Sequence, residues 1–167
     1  MKLSENLKAC GFEGTPESFR SMLLESLRSD FPTSTIDAVL RTPAVATRFC
    51  EFVREQFPNA NLHDALILGT LMNIRRRKEC PQKLIGTPSK VKLSTLLADG
   101  GCTMGVADFR QLAAACLETM CKGQSIHDVL CHPREALALC EYIRVKCKAA
   151  PLPHSLILQV LLTYRKK

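Results

Sequence analysis

The feature that most constrains this chain is internal. Residues 1–77 align with residues 91–167 without a gap at an offset of 90, with 23 identities over the 77 positions. Chance would leave only a handful, and a fixed period of this kind is the signature of one supersecondary unit used twice. The shared positions include Lys2/Lys92, Leu3/Leu93, Ser4/Ser94, Leu7/Leu97 and Gly11/Gly101 near the start of each copy. Phe19-Arg20 matches Phe109-Arg110, and TIDAVLRTP matches SIHDVLCHP. Cys50-Glu51 with Arg54 matches Cys140-Glu141 with Arg144, and Leu66-Ile67-Leu68 matches Leu156-Ile157-Leu158 before Arg75/Arg165.

Each copy reads as about five helices, so the expected fold class is all-α. Ser4 and Ser94 are expected to cap a short first helix that Gly11 and Gly101 stop. Thr15 caps a second helix with Pro16 at its first position, and Asp108 is expected to take the corresponding role in the second copy. Phe19, Met22, Leu23 and Leu27 recur at spacings of three and four, which places them on one helix face. Thr35 and Ser125 cap a third helix, which must end before Pro43 or Pro133 because the residue preceding proline resists helical geometry. The same prolines open a fourth helix. A fifth, at about residues 62–77 and 152–167, is apolar on almost every side and marks the centre of a small helical domain.

Domain organisation follows: a repeat at 1–77, a Pro- and Lys-containing linker at 78–90, and a second repeat at 91–167. The linker KECPQKLIGTPSK reads as a tether. The all-round apolar fifth helix favours a docked, pseudo-twofold pair.

Aromatic residues make up only 5% of the chain and Trp is absent, so the core must be mostly aliphatic, which suits helices better than strands. The start lacks the apolar stretch of a secretory signal. The most apolar run, Ala65–Ile74, falls well short of the roughly 20 residues a membrane span requires. Of the nine cysteines, only Cys50 and Cys140 occupy matching positions. A duplicated disulfide framework would keep its cysteines in pairs, so buried thiols in a reducing compartment are expected. The expected location is cytoplasmic, with nucleus or nucleoid as alternatives, and no membrane association.

The formal net charge of +7 equals the sum of two clusters, Arg75, Arg76, Arg77 and Lys78 in the first copy and Arg165, Lys166 and Lys167 in the second. Cations closing a helix complement its macrodipole and keep an apolar helix in solution. The same clusters are the candidate patches for phosphates or an acidic partner, with modest, salt-sensitive and sequence-neutral binding. Nothing beside them reads base edges, because the fourth helices begin with Ala44-Val45-Ala46 and Arg134-Glu135-Ala136.

The shared charged residues Arg20, Glu51 and Arg54, with Arg110, Glu141 and Arg144, are expected to form structural ion pairs locking the second helix to the fourth. The alternative is an anion site using both arginines. None of the four histidines (His63, His127, His132, His154) recurs in register, which favours capping or surface roles. Cys116, Cys121, Cys131 and His132 lack zinc-site spacing, and no phosphate loop or hydrolase motif is present, so no metal, cofactor or catalytic residue is expected. The functional expectation is a non-catalytic helical double module that binds a protein partner through repeated surfaces. A basic accessory protein that binds nucleic-acid backbone through the two fifth-helix ends is the alternative. An enzyme with a site in the inter-repeat crevice comes third.

Overall fold

The computed structural model describes residues 2–86 and 90–164. Among these the chain is all-helical, with ten α-helices, a single 3-10 turn and no strand. It divides into two compact units, Met1–Leu40 with Ala44–Gly86, and Thr87–Lys167 with Arg41–Pro43.

The first unit contains α1 (Leu3–Ala9), α2 (Pro16–Asp30), α3 (Ile36–Arg41) without its last residue, α4 (Pro43–Gln56) without its first, and α5 (Asp64–Arg77). The second contains α6 (Leu93–Asp99), α7 (Val106–Met120), α8 (Ile126–Leu130), α9 (Pro133–Cys147) and α10 (His154–Thr163). Every helix of the second unit begins 90 residues after its counterpart in the first, as the paired starts Leu3/Leu93, Pro16/Val106, Ile36/Ile126, Pro43/Pro133 and Asp64/His154 show.

Local chemistry sets these boundaries. Gly11 (φ 75°) and Gly101 (φ 76°) turn the chain through left-handed geometry after α1 and α6, where a side chain would be strained. Thr15 Oγ1 accepts from Ser18 N–H at 3.1 Å, and Thr35 Oγ1 from Ala38 N–H at 3.1 Å. Ser125 and Asp128 cap α8 reciprocally, since each side chain accepts the other's backbone N–H. The Ser125 hydroxyl also donates to Asp128 Oδ2 at 2.7 Å, and this bond, followed by that from the Ser125 backbone N–H, holds the Asp128 carboxyl below its ordinary range.

Two caps differ from the sequence expectation. Lys2 and Lys92 occupy the N-cap positions of α1 and α6, with Ser4 and Ser94 already inside the first turn. Gly105 caps α7, and Asp108 lies in the helix's first turn. A carboxylate there interacts with the macrodipole without making the cap bond, so charge alone did not locate the helix start.

In the first unit α2 packs on α1 and α5, with Phe19, Leu23 and Leu27 fully buried. In the second, α9 packs on α7, α8 and α10, and α10 packs on α7 and α8. The fifth helices supply the densest apolar contribution: Leu66, Ile67, Leu68 and Leu71 are buried in α5, and Leu156, Ile157, Leu158 and Leu161 in α10. Removing such side chains from water stabilises a core by about 25 cal/mol per Å².

The stretch read as a tether is partly folded onto the first unit. After α5 the chain makes the 3-10 turn Gln82–Leu84, buries Leu84 and ends with Gly86 N–H donating to Asp37 Oδ2 at 2.8 Å. Among the described residues, no helix is long and apolar enough to cross a membrane.

Candidate interaction surfaces

The strongest shared polar feature is an arginine reaching from the fourth helix to the turn before the fifth. Arg54 pairs with Asp64 Oδ1 at 2.5 Å and donates to Leu62 O at 3.5 Å. Arg144 donates from Nε to Leu152 O at 2.7 Å and pairs with Glu141 at 2.9 Å. Glu141 in turn meets His154 Nε2 at 2.6 Å. The hydrogen bond from His154, followed by the Arg144 charge, holds the Glu141 carboxyl below its ordinary range. Both arginines therefore serve a carbonyl in the turn preceding the fifth helix, while their carboxylate partners differ.

Arg20 and Arg110 stand apart from this arrangement. Arg20 is 3.9 Å from Glu17 on its own helix. Arg110 is exposed and has no ionic partner among the described residues. Glu51 likewise has none, and lines an open recess of about 340 Å³ with Phe31, Arg48 and Phe52. Sequence reasoning missed Asp64 because its counterpart is His154, so a filter built on identity discarded the position.

The first basic cluster is partly committed within the protein. Arg75 Nε lies 2.6 Å from Asp37 Oδ1, and Arg77 lies 3.7 Å from Glu79. Asp37 is buried and accepts from both Arg75 and Gly86, which ties α3, the end of α5 and the chain beyond it together. Arg76 and Lys78 are exposed without a carboxylate partner among the described residues. Arg165, Lys166 and Lys167 lie outside the described residues.

The histidines act locally. His63 Nδ1 accepts from Leu66 N–H at 3.1 Å and caps α5. His132 sits at the N-cap of α9, yet its ring bonds the Asp128 carbonyl of α8 at 2.9 Å. Among the described residues, no group of three or more His, Cys, Asp or Glu is placed to hold a metal ion. A further open depression of about 320 Å³, bordered by Leu96, Pro151, Leu156 and Gln159, has Asp99 as its one titratable lining residue.

The outward faces of the fourth helices are opposite in character. On α4 this face presents Arg48, Glu51 and Glu55. On α9 it presents Leu137, Ala138 and Val145, with Tyr142 half-buried beside them. Leu137 is 41% exposed and Val145 72%. Arg134, Lys146 and Lys148 surround this strip without a carboxylate partner among the described residues, and Lys146 rests over the Tyr142 ring at 5.1 Å. Glu141, on the same face, is already matched by Arg144 and His154.

All nine cysteines are free. Cys102 and Cys147 are both buried, and the Cys147 thiol donates to Arg144 O at 3.6 Å. They occupy the positions of Phe12 and Phe57, whose rings meet edge-on at 5.2 Å. No protein-family model, curated protein or solved structure matches the chain.

Proposed function

We propose that the chain is a non-catalytic helical double module, two copies of one unit, whose second copy binds a protein partner through the outward face of α9. The observation that carries this reading is the exposed apolar strip of Leu137, Ala138 and Val145, where the first unit has Thr47, Arg48 and Glu55. Leu137 and Val145 stand in water two turns apart on one helix face with Ala138 and Tyr142 beside them, apolar surface that a partner can cover. The unmatched cations Arg134, Lys146 and Lys148 around it favour a partner segment that is apolar and acidic, in the manner of an amphipathic helix lying against a groove or ridge. On this reading the duplication supplied a second scaffold and one copy acquired the binding face, in place of two equal surfaces.

The test is titration of the full chain with a synthetic helical peptide carrying leucines at i, i+4 and i+7 flanked by glutamates, followed by calorimetry. The expected result is binding that weakens with salt and falls at least tenfold in Val145→Glu, which installs the first unit's residue, while the circular dichroism spectrum is unchanged. Equal affinity for the variant overturns the reading. So does duplex binding lost on neutralising Arg76 and Lys78, which would instead assign the molecule to nucleic-acid backbone.

A further inference from the structure

The outward face of α9 is apolar and basic, and the equivalent face of the first unit has the opposite chemistry. Its open recess of about 340 Å³ is lined by the half-buried rings of Phe31 and Phe52, whose centroids lie 5.8 Å apart. The exposed carboxylates of Asp30, Glu51 and Glu55 line it too, against one lining cation, Arg48, which sits over the Phe31 ring at 6.0 Å. In the second unit Met120 stands for Asp30, Ala138 for Arg48 and Val145 for Glu55. Of the carboxylates on α9, Glu141 is taken by Arg144 and His154, which leaves Glu135 against the cations Arg134, Lys146 and Lys148. The same position of the framework thus carries an acidic, ring-lined surface in one unit and a basic, aliphatic one in the other.

We propose that the occupant of the α9 face is a second molecule of this chain, which presents its α4 recess, so that molecules join head to tail. This rests on the role given above to α9 and names its partner. An acidic surface with an apolar lining is the chemistry that the α9 strip and its cations select. Lengths also agree: Leu137 and Val145 lie about 12 Å apart along α9, and Arg48 to Glu55 spans about 10 Å of α4. Covering Leu137 and Val145 with Phe31 and Phe52 removes apolar surface from water, while the carboxylates beside the rings meet the cations beside the strip. Each face is uncovered within its own chain, so another molecule supplies what each lacks. A contact between unlike faces leaves one of each open on the joined pair, and association then continues or closes into a ring. The net charge of +7 opposes approach at long range. At about 0.1 M salt the Debye length of about 10 Å screens that repulsion and spares charges in contact.

The test is sedimentation velocity of the full chain at about 0.1 M salt over roughly a hundredfold range of concentration. The wild-type mass should rise above that of the monomer as concentration increases. Two variants each break one face: Glu51→Lys with Glu55→Lys on α4, and Val145→Glu on α9. Each should self-associate more weakly by roughly tenfold or more, with an unchanged circular dichroism spectrum. Mixed, they should form a one-to-one complex that grows no further, because each retains the face that the other needs. The α4 double variant should keep its affinity for the leucine–glutamate peptide. The proposal is overturned, with the role of α9 intact, if the chain stays monomeric yet binds that peptide, or if the α4 double variant associates as tightly as wild type. A mixture that stays monomeric also overturns it. Loss of both peptide binding and self-association in the wild type would sink the proposal and the role of α9 together.

Discussion

The two units share a framework and fill it with different materials. In the first, Phe12 packs edge-on against Phe19 and Phe57, and Phe31 against Phe49 and Phe52, with ring centroids 5.1–5.8 Å apart. In the second, Cys102, Cys121 and Cys147 stand where the first has Phe12, Phe31 and Phe57, and Leu139 stands for Phe49. Polar groups have moved in the opposite direction. Ser26, Asp37 and Thr70 are buried in the first unit, where the second has Cys116, His127 and Val160. The first unit is thus held by rings and a buried carboxylate, and the second by small aliphatic and sulfur-bearing side chains. A helical framework tolerates such exchange because helix spacing is set by side-chain volume and direction, while ring geometry adds only about 0.5–1.5 kcal/mol per pair.

The largest break in the comparison is expected at alkaline pH. Burial pushes the Cys140 thiol up to about 12, and burial also raises Cys116, Cys121 and Cys147 in the second unit and Cys80 in the first. A thiol whose folded pKa is raised stays protonated in the native state while the unfolded chain ionises near 9. The unfolded state then binds fewer protons, so stability falls as pH rises above about 9 and continues to fall to about 12. Cys140 alone should contribute a slope of about 1.4 kcal/mol per pH unit across that window. Hydrogen exchange at rising pH, corrected for its intrinsic rate, should show the second unit opening well before the first. Simultaneous opening would remove the distinction.

Removing the buried carboxylate should sharpen the comparison from the other side. Asp37→Ala strands the Gly86 N–H and leaves Arg75 without its acceptor. The expected loss is about 2 kcal/mol, the scale of hydrogen bonds to a charged group, reduced because Arg75 is 43% exposed. Urea unfolding followed by exchange should localise that loss to the first unit, with residues 82–86 opening first. His127→Ala, at the matching position, should change the second unit far less.

The smallest effect is expected at the exposed bridge between Arg144 and His154. Glu141 has a depressed pKa, so its contribution is present above the unfolded value of about 4.5 and is lost as pH falls through the folded one. Glu141→Gln should lower the second unit's stability slightly at neutral pH, leave it unchanged in acid, and so flatten the acid limb for that unit alone. In the first unit Arg54 pairs directly with Asp64, and Glu51→Gln should leave stability unchanged. An equal response to the two substitutions would show that the shared Glu–Arg pattern matters more than its differing partners.

Much of this architecture is written in periodicity and punctuation. Proline at positions 16, 43 and 133, glycine at 11 and 101, and the caps Thr15, Thr35 and Ser125 act within one turn of helix, so they can be read without knowing what packs where. Ser4, Ser94 and Asp108 show the limit of such reading: several residues near a helix start can cap it, and the competition is decided by the backbone's approach. The candidate surfaces were legible only in part. The identity filter kept Arg54 and Arg144 and lost Asp64 and His154.

The sequence by itself determined the all-helical class, the order of the helices and their 90-residue spacing. These follow from local rules of propensity, capping and apolar period. Only the tertiary structure decided that Arg75 turns inward to Asp37, that the chain after α5 folds back to Gly86, and that Val145 stays in water. Each of those depends on which residues distant in the chain are brought within a few ångströms, and on how much surface the neighbouring helices leave uncovered. Neither quantity is carried by any one segment.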